Sequence, residues 1–114
     1  MMDRVYKKGD IVFVLNDDIF VPGVQSGSRP YIVVSNDKFN LHSPVLNCIP
    51  LTTRCKKSPV HYFLHKNIGI SQDSYALCEQ VQTISKNNVG DVICSLPSNI
   101  VLQINKLLSF QFSL

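Results

Sequence analysis

The sequence predicts a small, barrel-like β domain covered by one C-terminal helix. Three observations predict it. Short runs of β-branched and aromatic residues recur between segments rich in Gly, Pro, Asn, Asp and Ser, the pattern of strands and turns. Only the last stretch changes period: Ile100, Val101, Ile104, Leu107 and Leu108 recur at three- and four-residue spacing, which makes one apolar helical face. The length of 114 residues, 45% hydrophobic and 17% charged, fits a single packed domain over residues 1–114.

Gly9-Asp10 introduces Ile11 to Leu15, a run too short for a helix and read as a buried strand. Residues 16–28 hold two aspartates, a proline and two glycines and read as a long loop, a type that is often functional. Tyr31 to Asn36 is the second predicted strand, Phe39 to Pro44 a turn, and Val45 to Thr52 the third strand. The basic loop Arg54 to Pro59 leads to a fourth strand, Val60 to Leu64. A polar, glycine-containing turn over Lys66 to Asp73 follows, then a long fifth strand, Tyr75 to Ile84. Asp91 to Cys94 is read either as a short strand or as a helical turn. Ser95 is the expected N-cap of the final helix, with Pro97 in its first turn. The count is five or six strands, many of them antiparallel neighbours, and one helix.

A net charge of +3 permits a nucleic-acid partner without arguing for one. No apolar run reaches the ~18 residues of a membrane span, and Met1 to Asp10 lacks the apolar centre of a signal peptide, so the expected location is cytoplasmic. Cys48, Cys55, Cys78 and Cys94 form no Cys-x-x-Cys pair, and His42, His61 and His65 lack metal-ligand spacing; no metal or cofactor is expected. Cys48, Cys78 and Cys94 read as small buried hydrophobes, while Cys55, beside Arg54, Lys56 and Lys57, reads as the most reactive thiol. Phosphate-loop, dinucleotide, nucleophile-elbow and zincin motifs are absent.

What remains is polar groups at strand ends. Gly27-Ser28-Arg29-Pro30 delivers a guanidinium to the mouth of a buried strand, and a guanidinium grips phosphate oxygens in pairs. If the second and third strands pair antiparallel, Arg29 begins where Thr52 ends and the two side chains meet. Ser35, Asn36, Asp37 and Asn40, Thr52 with Thr53, and Glu79, Gln80, Gln82 and Thr83 supply further polar groups. Taken singly, each also fits an ordinary surface pair or a strand-forming choice.

Five segments in order then carry a resemblance. They are Lys8 to Phe13, Gly27 to Asp37 with Asn40, Ile49 to Thr53, Pro59-x-His61, and Glu79 to Ile84. Together they resemble the MazF/PemK family of toxin endoribonucleases over nearly the whole chain. The resemblance implies an SH3-like β-barrel of the CcdB/MazF toxin type with a C-terminal helix. It implies a cytoplasmic homodimer that cleaves single-stranded RNA, mRNA included, at short sequences without metal. It also implies an antitoxin that restrains the toxin and through which alone operator DNA is met. Residue by residue, it makes Arg29 and Thr52 the catalytic pair. Glu79, Gln80 and Thr83 match an RNA-lining strand, and Ser35 and Asn36 a strand end beside the arginine. Thr53 and Arg54, next along from Thr52, are further RNA-binding candidates, although the loop from Arg54 to Ser58 varies within the family.

The implied chemistry is attack by the neighbouring 2′-hydroxyl, leaving a 2′,3′-cyclic phosphate and a 5′-hydroxyl. Arg29 suits stabilisation of the phosphorane and Thr52 donation to a non-bridging oxygen. A guanidinium with a pKa above ~12 is a poor base, so the general base stays open. The loop over residues 16–28, with Asp17, Asp18, Pro22, Gly23, Gly27 and Ser28, is expected to gate access to Arg29. Two other readings remain at this point: a CcdB-like toxin that binds gyrase, and a non-catalytic SH3-like binding module.

Overall fold

The computed structural model describes residues 4–15, 29–54 and 58–114. Among them seven strands and two α-helices follow one another as β1 (Asp10–Val14), β2 (Arg29–Val33), α1 (Asp37–His42), β3 (Val45–Thr52), β4 (His61–Leu64), β5 (Ser74–Leu77), β6 (Gln82–Ser85), β7 (Val89–Ser95) and α2 (Ser98–Phe112). Short 3₁₀ turns, Lys66–Ile68 and Lys86–Asn88, precede β5 and β7. The sheet runs β4-β5-β3-β2-β1-β7, with β6 also on β3, and every pairing is antiparallel. The path has two ends, so the barrel is open. The predicted class, mainly β with a covering C-terminal helix, stands.

Strand β3 is the axis of the fold. One edge pairs with β2. The other pairs with β6 over Val45 to Cys48 and with β5 at Leu51 and Thr52. Its side chains alternate between two apolar cores. Leu46 and Cys48 join Val12, Val14, Tyr31, Val33 and Ile84 on one face. Ile49 and Leu51 join Ile11, Ile32, Leu64, Ala76 and Ile104 on the other. Because both faces are buried, the strand reads as a continuous apolar run rather than an alternation. Helix α2 covers the second core: Ile104 is buried, with Ile100, Val101, Leu107 and Leu108 packed around it, as the periodicity predicts.

Three expectations are corrected, and of the two readings of Asp91–Cys94 the strand holds. The single strand Tyr75–Ile84 is two strands. Ala76 lies opposite Leu51 and Gln82 opposite Cys48, so six steps on this side answer three on β3. The surplus loops out at Cys78–Val81. It does so at the level of Pro50, which has no N–H for a ladder bond. The predicted turn at Phe39 is part of helix α1, begun by Asn36, whose side chain accepts from the Phe39 N–H at 2.8 Å. Asp91–Cys94 belongs to β7 and is strand, not helical turn. Ser95 is not a helix cap. It ends β7 and its hydroxyl donates to Asp10 at 2.7 Å, while Pro97 stands at the helix N-cap without a side-chain bond.

Gly9 fixes where helix and sheet meet. Its N–H donates to Val33 O (2.8 Å) and its carbonyl accepts from Leu96 N (2.9 Å). Its φ is +92°, and an added Cβ would lie 2.8 Å from Val101 Cγ2. Gly9→Ala is therefore expected to destabilise the fold by about 2 kcal/mol or more, from backbone strain plus overpacking. Val101→Ala should relieve only the second part, so the loss caused by Gly9→Ala should shrink but persist in that background. Equal losses in both backgrounds, by urea unfolding, would contradict the packing contact.

Burial pushes the Cys48 thiol up to about 12 from an ordinary 9.0. Cys78 is likewise pushed up to about 12 by burial, with the Glu79 charge adding to it. Burial also raises Cys94, which is less enclosed. Cys55 lies outside the described residues. Iodoacetamide at pH 8 is expected to spare Cys48 and Cys78 in the folded protein and to label both in denaturant, read by mass spectrometry. The raised values favour the folded state fully below about pH 9, and this contribution is lost as pH climbs towards 12.

Candidate functional site

Arg29 opens β2 and Thr52 closes β3. The pairing of these strands sets Tyr31 opposite Pro50 and Val33 opposite Cys48. Continued by two residues, that register places Arg29 directly opposite Thr52. Arg29 lies opposite Val14 on its other side, and Thr52 lies opposite Tyr75. Directly opposed residues project from the same face of a sheet, with strands about 4.8 Å apart. A half-buried guanidinium and a threonine hydroxyl thus stand side by side where the strands end. The register thus brings together the two strand ends that the sequence pairs.

Thr52 is only 6% exposed. Its Oγ1 accepts from the Arg54 N–H at 3.2 Å. With one lone pair so engaged, the hydroxyl keeps its proton for an acceptor at the strand mouth, and the bond it accepts strengthens it as a donor. Thr53 and Arg54 are exposed just beyond. An open cavity of about 540 Å³ adjoins this end, walled by Phe13, Pro30, Leu51 and Ile93 and rimmed by Thr52, Thr53, Gln72 and Ser74.

The other predicted positions do not all gather here. Ser35 and Asn36 follow the far end of β2, so their expected place beside Arg29 is corrected. Both are committed locally. The Ser35 hydroxyl meets Asn40 Oδ1 and accepts from the Asn47 N–H (3.1 Å), while Asn40 Nδ2 donates to Ser35 O (2.8 Å). Asn36 caps α1. Asn40, 1% exposed, is a buried polar anchor for the β2–β3 connection.

Glu79 and Gln80 lie in the surplus loop between β5 and β6 rather than on a strand. Gln80 N donates to Leu77 O (3.0 Å), and Gln111 of α2 holds the loop through Cys78 O (3.0 Å). Glu79 Oε2 is 2.9 Å from His61 Nε2, whose side chain is 7% exposed against 39% for Glu79. Thr83 donates to Asn47 Oδ1 at 3.3 Å. Asn47 and Thr52 lie five residues apart on β3 and so project from opposite faces. Thr83 therefore sits behind the Arg29–Thr52 face.

Sequence reasoning passes over two residues in the same row as Thr52. Tyr75 is its direct partner on β5, and Phe63 of β4 is the direct partner of Tyr75. The signal that finds them is strand parity, once β3, β5 and β4 are known to be consecutive. The gating positions Asp17, Asp18, Pro22, Gly23, Gly27 and Ser28 lie outside the described residues, as do Lys56 and Lys57.

Comparison with known proteins bears on this arrangement. Residues 7–112 match the family described as PemK-like, MazF-like toxins of type II toxin–antitoxin systems. Endoribonuclease EndoA of Bacillus subtilis is 30% identical over 113 residues, covering 96% of this chain and 97% of that protein. Among solved structures, MazF of Deinococcus radiodurans superposes with a TM-score of 0.84 at 19% identity, over 98% of this chain and 100% of that one. A mycobacterial endoribonuclease solved with its cognate antitoxin gives 0.78 at 20% identity, over 96% of each chain. With the family's model matched from Lys7 to Phe112 and a 30%-identical relative aligned nearly end to end, this chain belongs to the PemK-like, MazF-like toxins of type II toxin–antitoxin systems.

Proposed function

We propose that this toxin is an endoribonuclease that cleaves single-stranded RNA at the Arg29–Thr52 pair. The observation that carries the proposal is the β2–β3 register, which brings the Arg29 strand end opposite a Thr52 hydroxyl that already accepts one bond, from the Arg54 N–H. A phosphodiester between them meets two donors. Attack by the adjacent 2′-oxygen, its proton passing to water, forms the new P–O bond and breaks the bond to the 5′-oxygen, which takes a proton from water. The products are a 2′,3′-cyclic phosphate and a 5′-hydroxyl. Arg29 opposes the charge that develops on the phosphorane oxygens, and Thr52 donates to one of them. Its relative EndoA carries the name endoribonuclease, which supports RNA as substrate. Arg29 and Thr52 suffice for the electrostatic part of this scheme, so cleavage is proposed to proceed without metal.

Thr53 and Arg54 extend the cationic, hydrogen-bonding rim along the substrate. Exposed Glu79 with half-buried Gln80, and Ser35, Asn36 and Thr83 farther off, are proposed to reach RNA only as it leaves the site. The working form is a cytoplasmic homodimer. Phe110 and Phe112 on the outer side of α2, 72% and 55% exposed, supply apolar area for a second copy. A cognate antitoxin restrains the toxin, as the antitoxin-bound mycobacterial relative supports. DNA is met only through that antitoxin. The segment over residues 16–28 is proposed to gate Arg29. Among the described residues no helix is long and apolar enough to cross a membrane.

Arg29→Ala is expected to lower cleavage by about 10²–10³-fold. Thr52→Val, which keeps the branched shape and removes the hydroxyl, should lose about 10²-fold with little change in melting temperature. Thr52→Ser should retain most activity. Wild-type turnover by Thr52→Val would remove that residue from the site. Cleavage should persist in EDTA and leave cyclic-phosphate ends by mass spectrometry; loss of activity in chelator, restored by magnesium, would refute the metal-free scheme.

A further inference from the structure

The row that holds Arg29 and Thr52 does not stop there. Tyr75 lies opposite Thr52, and Phe63 opposite Tyr75. Four side chains from four strands therefore share one face: guanidinium, hydroxyl, phenol ring, phenyl ring. The last two touch, with ring centroids 5.3 Å apart and planes at 61°. His65, two residues along from Phe63 on the same face, adds a third ring at 6.5 Å from it. Its Nδ1 lies 4.0 Å from Asp73 Oδ1.

The alternating faces of β4 and β5 explain why these rings are outside. Leu64 and Ala76 turn into the core beneath α2. Tyr75 and Phe63 must then turn away from it. Phe63 is 46% exposed on an edge strand. A single exposed phenylalanine has no special meaning. Its place does: it lies two strand spacings, about 10 Å, from Thr52, in line with the phosphate-holding pair.

We infer that Tyr75 and Phe63 form a stacking platform for unpaired bases flanking the scissile phosphate, a proposal that rests on the RNA-cleavage reading above. Arg29 and Thr52 hold the charged backbone, and the rings hold the bases through their π faces. Such stacking is tolerant of base identity and needs single strands, because paired bases have no free face. The platform thus contributes strand selectivity and affinity, not sequence choice.

The chain contains no tryptophan, so Phe63→Trp introduces a single fluorescent reporter. The probe is a single-stranded RNA spanning the mapped cut site, with the attacking 2′-hydroxyl replaced by 2′-O-methyl. Its binding should quench the reporter, and an abasic replacement within two nucleotides of the cut should abolish the quench while binding persists at higher RNA. In cleavage assays Phe63→Ala and Phe63→Leu should each raise KM about tenfold, with kcat within about twofold. Phe63→Tyr should behave as wild type.

An unquenched reporter at saturating RNA, or an unchanged KM in Phe63→Ala, overturns the platform even though wild-type protein cleaves. Self-association lost in Phe63→Ala with KM unchanged would make the rings a protein contact and also overturn it. Wild-type protein that cleaves no RNA would instead overturn the parent reading, and this one with it.

Discussion

Everything in this molecule hangs on β3 being paired along both edges and buried on both faces. A strand in that position has no freedom to slip. Moving it by one residue would exchange Leu46 and Cys48 with Asn47 and Ile49 between the two cores and expel apolar groups from each. The position of Thr52 is thus set by packing far from any substrate. So is that of Arg29, because β2 is locked to β3 through the Tyr31, Ile32 and Val33 pairs.

The proposed site, made of strand ends, inherits this rigidity while staying open. Arg29 and Thr52 are the outermost members of ladders whose inner members are buried, so their backbones are placed by the sheet, with Arg29 half-buried and Thr52 almost wholly so. Preorganised donors need no rearrangement as charge develops, which is what phosphoryl chemistry asks of a protein with little covalent work to do. The same logic separates the two ends of β2. Ser35 and Asn40 spend their polar groups on each other and on Asn47, and Asn36 spends its side chain on the Phe39 N–H, closing the far end of the strand.

Most of the sheet was legible because β1 to β4 are apolar runs bounded by turn residues, and the helix because its period is long enough to count. The Arg29–Thr52 encounter was legible from chain direction alone: short connections favour antiparallel neighbours, and antiparallel neighbours join a beginning to an end. The division of Tyr75–Ile84 was not, since a surplus of three residues leaves apolar content unchanged. Its traces were Pro50 on the facing strand and the hydrophilic Glu79-Gln80 pair, and neither is informative until β3 and β5 are known to be partners. Helix α1 is six residues long, too short for periodicity, and only the capping Asn36 announced it. The Tyr75 and Phe63 rings were hidden for a related reason: which face a strand residue occupies depends on register across three strands, a non-local quantity.

The bond from the Arg54 N–H to the Thr52 hydroxyl has an implication for how such proteins vary. In the loop that begins at Arg54 the first side chain is exposed beyond the sheet, so a change there disturbs no packing. The backbone at its first position is not free in the same sense, because it orients the hydroxyl two residues earlier. Any amino acid with an N–H satisfies that demand and proline alone does not. A loop open to wide diversification in substrate preference would then carry one prohibition at its root, invisible in side-chain chemistry and written only in the main chain.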